Sequence, residues 1–254
     1  TTTATYDNAN VGTGKTITVA YTITGAAAGN YTKPVDYVVT TGEITALQLT
    51  IANPTLTTTK EYDGNTTATV TAGSLTNVVG TDVVSIGTAT ATYDNANVGT
   101  GKTITVAYTI TGTAATNYTA PVNYIYAAGA ITTKALTITA NDGFKGYGET
   151  LTSPTTGSTA FTVGAGQLVT GDAVTSVSLA YLNSVHLPGT SIGTYAASIQ
   201  PGVAQGTGLS NYSITYAEGS MTIYPVIVES TKGSSTLAGY NTMKEAYDAI
   251  NAGI

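Results

Sequence analysis

Twenty-two residues, ATYDNANVGTGKTITVAYTITG, stand at Ala4–Gly25 and again, unchanged, at Ala91–Gly112, 87 residues apart. A period of that size lets each unit be a domain, and repetition builds length and recurring surface rather than one unique pocket. The match continues without gaps. Asn30-Tyr31-Thr32 falls on Asn117-Tyr118-Thr119, Pro34-Val35 on Pro121-Val122, Gly42 on Gly129, and Ile44-Thr45 on Ile131-Thr132. Leu47–Ile51 then meets Lys134–Ile138, which places module joints near 46/47 and 133/134. On this reading residues 1–46 are the second half of a module, too small to enclose a core, and residues 47–133 are a complete one. The expectation is of a chain cut from a longer polypeptide. Residues 134–225 carry the same landmarks at looser spacing. Gly171-Asp172 takes the place of Thr81-Asp82, Ile192–Tyr195 that of Val98–Gly101, and Asn211-Tyr212-Ser213 that of Asn117-Tyr118-Thr119.

Alternation within the repeat sets the structural class. In Lys15–Gly25 the residues Ile17, Val19, Tyr21 and Ile23 share one face and Thr16, Thr18, Ala20, Thr22 and Thr24 the other, a period of two that makes a strand with one core face. Ile104, Val106, Tyr108 and Ile110 are the same face in the second copy. Further strands are expected at Leu47–Ala52, Ala68–Ala72, Asp82–Tyr93, Ala135–Ala140, Val174–Tyr181, Thr194–Ile199, Tyr212–Tyr216 and Ser220–Ile223. Abundant Thr and Val favour strands, while Gly and Asn supply the turns. The fold class expected is all-β: tandem immunoglobulin-like antiparallel β-sandwich modules in an elongated array.

Charge narrows the partners. Asp, Glu, Lys and Arg make up 9% of the chain against roughly 25% in an ordinary soluble domain, and the net charge is −6. The eight basic residues are all lysines and are scattered, so no phosphate-binding stripe exists and nucleic acid is not an expected partner. No apolar run approaches the roughly 18–20 residues of a membrane span, so no membrane insertion is expected. Cysteine is absent, which removes disulfides and thiol chemistry. Tyrosine supplies 18 of the 20 aromatics, a choice that suits thin sandwiches whose ring edges reach polar partners.

Several short motifs invite chemistry and are better read as structure. Gly12-Thr13-Gly14-Lys15-Thr16, repeated at Gly99–Thr103, resembles the end of a phosphate-binding loop. Ala9 and Ala96 occupy the places of its leading glycine, and a strand follows instead of the helix whose N-terminus would cradle phosphate. His186 stands alone in the loop Asn183–Gly189 and is expected to be exposed, with no nucleophile elbow to recruit it. The fourteen acidic residues are dispersed and mark no carboxylate pair. Glu61, Asp63 and Asp82 are the candidates for calcium, but no Asp-rich loop of calcium-binding spacing exists, and no metal is expected. Asn30, Asn65, Asn117 and Asn211 open Asn-x-Ser/Thr triplets. The recurring Asn-Tyr step is explained better by a turn with the Tyr packed inward than by glycosylation.

At Lys60–Ala68 the chain reads KEYDGNTTA. In Tyr62-Asp63-Gly64 the ring can anchor a strand, the carboxylate can close a turn on a backbone N–H, and the glycine tolerates positive φ. The stretch resembles the opening of the YDG repeat domain, and the segments Ala91–Gly112 and Asn117-Tyr118-Thr119 are similar to that family's second half. Phe144-Lys145-Gly146-Tyr147-Gly148-Glu149 and Asn211–Tyr216 are similar to the related MBG module. The resemblance implies an extracellular, adhesin-like array and carries over no catalytic residue.

Past Pro225 the pattern changes. Val226–Glu229 reads as a short linking strand, Gly233-Ser234-Ser235 as a loop, and Thr242-x-x-Glu245 as the capping box of a helix over about 242–252. Met243, Ala246, Tyr247 and Ile250 line one face of it. Residues 226–254 therefore read as a linker and the start of a further domain. The helix resembles the cap of a right-handed parallel β-helix of the pectate-lyase type.

The function expected is a structural stalk in a secreted bacterial surface adhesin, extending a distal domain from the cell. Two alternatives accompany it: modules that themselves bind glycan or mucin, and a spacer for a downstream extracellular carbohydrate-active enzyme. No enzyme, cofactor or catalytic residue is expected within the chain. Host or environmental glycans, other surface proteins and neighbouring modules are the expected partners. The expected location is the bacterial cell surface, through parts outside this chain.

Overall fold

The computed structural model describes residues 1–225, 227–231 and 234–238, and their contacts gather into two compact units. The first comprises Thr1–Lys60, Thr66–Asn95 and Thr100–Ala130. The second comprises Glu61–Asn65, Ala96–Gly99 and the described residues from Ile131 onward. Two short stretches of the YDG-like repeat, 61–65 and 96–99, are thus held among the residues that follow it.

Within the first unit the duplicated segment folds the same way twice. Thr2–Tyr6 pairs antiparallel with Gly12–Tyr21, Ala4 opposite Val19 and Tyr6 opposite Ile17. Ser85–Tyr93 pairs with Gly99–Thr111 in the same register, Ala91 opposite Val106 and Tyr93 opposite Ile104. The first hairpin gains only Tyr37–Ile44, completing a three-stranded sheet. The second lies inside a five-stranded sheet that runs Thr59–Glu61, Tyr124–Thr132, Gly99–Thr111, Ser85–Tyr93, Thr67–Ala68. Ile104 and Val106 are fully buried there, Ala91, Tyr93 and Tyr108 of the same sheet are buried, and so is Leu49 outside it.

The second unit is a two-layer sandwich. One layer orders Phe161–Val163, Lys134–Ala140 and Tyr212–Ala217; the other orders Gly143–Gly146, Gly219–Tyr224, Gly193–Thr207, Ala173–Tyr181 and Thr155–Ser158. Leu136, Ile138 and Ala140 from the first, with Val177, Leu179, Ile199, Met221 and Ile223 from the second, make the core, each 3% exposed or less. Their spacing of two along each strand is what a half-buried strand requires.

The all-β class stands, with three differences inside it. Three strand pairs run parallel where antiparallel pairing was expected: Tyr118–Thr119 with Leu47–Gln48, Lys134–Ala140 with Tyr212–Ala217, and Gly143–Gly146 with Gly219–Tyr224. Each joins the start of a module to its end, which local alternation does not report. Strands Tyr37–Ile44 and Tyr124–Thr132 were not anticipated, and Thr194–Ile199 extends through Pro201 to Gly193–Thr207. A bulge at Ala197, with φ +49, aims the buried Ser198 Oγ at the Met221 N–H, which donates to it over 3.0 Å. Ile227–Thr231 forms a hairpin with Ser234–Ala238, so Ser234 and Ser235 are strand, not loop. The helix expected over 242–252 lies outside the described residues.

Candidate functional site

The loop Tyr62-Asp63-Gly64 is built into the second unit by its ring and its lack of a side chain. Tyr62 is 6% exposed and donates its hydroxyl to Asp172 Oδ2 over 2.9 Å. Tyr212 donates to the same oxygen over 2.7 Å, and its own hydroxyl accepts the Val169 N–H at 2.8 Å. The two rings meet edge to face, 5.5 Å apart at 79°. Gly64 adopts φ +78, and a Cβ there would stand 2.5 Å from Val169 Cγ1, so glycine alone lets the loop lie flat on Val169. Asp63 Oδ1 accepts the Asn65 N–H at 3.1 Å, the turn closure the motif suggested. Glu61 is ion-paired with Lys134 at 3.3 Å. An open concavity of about 490 Å³ lies beside this loop, lined by Asp63, Gly64, Asn65, Lys134, Gly166 and Val169 among others.

Burial, then the Asp172 carboxylate, raises the Tyr62 hydroxyl above the usual phenol range. Tyr212 is pushed up to about 12, burial again leading, with the Val169 N–H opposing it and the Asp172 carboxylate adding to it. Both phenols therefore stay protonated and act as donors to one shared carboxylate, a charge-assisted arrangement stronger than a neutral pair.

A second contact follows from the Asn-Ala-Asn-Val stretch. Asn211, 4% exposed, accepts the Val98 N–H on Oδ1 at 2.9 Å and donates Nδ2 to Asn97 Oδ1 at 3.4 Å. In the first unit Asn117 does the same for Val11, at 2.9 Å, and for Asn10, at 3.2 Å. Each Asn ends a one-turn 3-10 helix, Ala115–Asn117 or Leu209–Asn211, and the next Tyr turns inward. Asn211 and Asn117 are thus spoken for as hydrogen-bonding side chains. Asn30 and Tyr31 differ, being exposed, Tyr31 by 72%.

The phosphate-loop look-alike folds its lysine back onto that same stretch. Lys102, 6% exposed, donates to Asn95 Oδ1 at 2.6 Å and Asp94 Oδ1 at 3.4 Å. Lys15, 8% exposed, donates to Asn8 Oδ1. A strand follows each, Gly12–Tyr21 and Gly99–Thr111. The ammonium is a buried brace for the Asp-Asn-Ala-Asn loop.

His186 is half-buried instead of exposed, because the fully buried Val185 pins its loop. Its Nδ1 is buried without a hydrogen-bond partner. Sequence reasoning missed Lys145, 2% exposed, whose Nζ donates to the Leu187 carbonyl at 2.5 Å and to that of Glu149 at 2.9 Å. Burial lowers its pKa, with Glu149 opposing the shift. A lysine between Phe144 and Gly146 in a strand gives no sign that it closes a distant loop. Among the described residues no cluster of three His, Asp or Glu could hold a metal, and Asp82 lies in the other unit from Glu61 and Asp63.

A family model of the YDG domain matches residues 1–38 and 45–125, and one of the MBG domain (YGX type) matches residues 136–222. No curated protein and no solved structure matches the chain.

Proposed function

Because the chain belongs to the YDG and MBG domain families, we propose that it is a structural stalk region of a secreted bacterial surface adhesin, each module adding length and passing load to the next. One observation carries the reading. Residues that define the repeat, Tyr62 to Gly64 and Asn97-Val98, are spent on holding residues of the following module, among them Asp172, Tyr212 and Asn211. In tandem repeats the stability of each unit is the sum of its own fold and its contacts with its neighbours. In this reading the chain is not itself an enzyme and needs no cofactor, and its uncharged Thr-rich surface limits nonspecific adhesion. Small-angle scattering from the whole chain tests it. The stalk reading expects a radius of gyration well above the roughly 18 Å of a compact globule of this length, and a value near that figure overturns it.

A second reading, glycan or mucin binding by the modules, draws support from exposed aromatic faces. Phe144 is 71% exposed and Tyr147 49% exposed, and Phe144 meets Tyr224 edge-on with ring centroids 6.4 Å apart. Rings so placed can stack on sugar faces. A glycan array probed with the whole chain separates the readings: saturable binding lost in Phe144→Ala favours the second, and no binding favours the stalk.

A further inference from the structure

The first unit repeats, hydrogen bond for hydrogen bond, the receptor that holds Tyr62 in the second. Tyr118 donates to Asp82 Oδ2 at 2.6 Å, as Tyr212 does to Asp172. The Val79 N–H donates to Tyr118 Oη at 3.0 Å, as Val169 does to Tyr212. The Asp82 N–H closes on the Val79 carbonyl at 3.1 Å, and that of Asp172 on Val169 at 3.0 Å. One step back, Asn77 Oδ1 accepts the Thr50 N–H at 2.7 Å, and Gln167 Oε1 accepts the Thr137 N–H at 2.6 Å. The two differ in cover. In the second unit Gly64 lies on Val169 and Tyr62 on Asp172, leaving both half-buried. In the first unit Val79 is 58% exposed and Asp82 is exposed. The phenol shifts agree: the Asp82 hydrogen bond leads for Tyr118, whereas burial leads for Tyr212.

The other arm of the joint is already made in both units, Val11 on Asn117 and Val98 on Asn211. We infer that the Val79, Asp82 and Tyr118 surface is a receptor for the Tyr-Asp-Gly loop of another YDG repeat. The incoming tyrosine donates to the free lone pairs of Asp82 and meets the Tyr118 ring by its edge, while the glycine lies over Val79. A loop with a side chain in place of that glycine is excluded by Val79, so the receptor selects the motif by shape as well as by hydrogen bond. This deepens the stalk reading by naming its joint, and its failure would leave the scattering and glycan results standing.

Native-state hydrogen exchange tests it, comparing the full chain with one carrying a copy of residues 47–87 ahead of Thr1, which sets a second Tyr-Asp-Gly loop one 87-residue period before Tyr62. Exchange at Val79 and Asp82 is expected to slow at least tenfold in the lengthened chain, while Val169 and Asp172 stay unchanged. Replacing the added copy of Tyr62 by Phe, or Asp82→Asn, should restore the faster exchange, and both together should do no more than either. No slowing, or slowing that survives both changes, overturns the inference. Should the added residues fail to fold, NMR titration with a peptide of residues 59–68 decides: saturable shifts centred on Val79, Asp82 and Tyr118 that vanish in Asp82→Asn support it, and none overturns it.

Discussion

Gly12–Tyr21 and the same residues within Gly99–Thr111 are one sequence in one register, yet only the second copy is core. Ile104 and Val106 are 0% exposed, whereas their counterparts Ile17 and Val19 are half-buried, and Ile23 is 37% exposed. The first copy sits in a lone three-stranded sheet; the second has five strands and residues 47–76 beside it, which add the buried Leu49 and two small pairings, Thr55–Leu56 with Thr71–Val70 and Ile51 with Leu75. A strand's alternation creates a face to bury, and burial itself requires a second layer. Local sequence makes the strand, and its neighbours make the core.

The sharpest break of this comparison is the isoleucine pair. Ile104→Ala should cost about 2–5 kcal/mol, as for a well-packed core, and Ile17→Ala about 1 kcal/mol. Urea unfolding followed by site-resolved hydrogen exchange reads both. Equal losses would mean the two copies are packed alike.

Next in size is the glycine of the contact loop. Gly64→Ala meets both a left-handed φ and Val169 Cγ1, so about 2–4 kcal/mol is expected. Gly101→Ala, at φ +68 with open space around it, should cost only the backbone part, about 1–2 kcal/mol.

The two receptor carboxylates give a smaller contrast. Asp172→Asn weakens hydrogen bonds from two buried phenols and should cost about 1–3 kcal/mol, while Asp82→Asn, exposed and with one phenol, should cost less than about 1 kcal/mol. Alkaline unfolding sharpens it. Tyr62 and Tyr212 have folded pKa values above the unfolded 10.0, Tyr212 at about 12, so the folded state holds protons that the unfolded state has shed. Their stabilisation is complete below pH 10 and is lost as pH climbs from there through about 12. Asp172→Asn removes the carboxylate's share of both shifts and should flatten that loss in a stability-versus-pH series.

Smallest is the asparagine pair. Asn117→Ala forfeits the bond from the Val11 N–H and should cost about 1 kcal/mol, whereas the exposed Asn30→Ala should stay within about 0.5 kcal/mol. Thermal unfolding measures both, and similar costs would place Asn30 in a contact of its own.

Much of the site was legible as correspondence. The alignment of Gly171-Asp172 with Thr81-Asp82, and of Asn211-Tyr212 with Asn117-Tyr118, named the residues that share one geometry in the two units. The phosphate-loop look-alike was also readable as structure, since alanine and a following strand deny it a cradle. What those residues do was not legible. Tyr62 and Asp172 are 110 positions apart, and nothing in either neighbourhood names the other. His186 and Lys145 escaped for a like reason: a loop's exposure depends on what grips it from elsewhere.

By itself the sequence determined the all-β class, the 87-residue period, the inward face of the duplicated strand and the equivalence of residues across repeats, because alternation and repetition are local and travel with the chain. Tertiary structure alone decided which copy of that strand is core, which module ends pair in parallel, and which receptor carries a Tyr-Asp-Gly loop. Those are relations between segments far apart in the chain, set by which surfaces meet and exclude water, and no single stretch of residues encodes them.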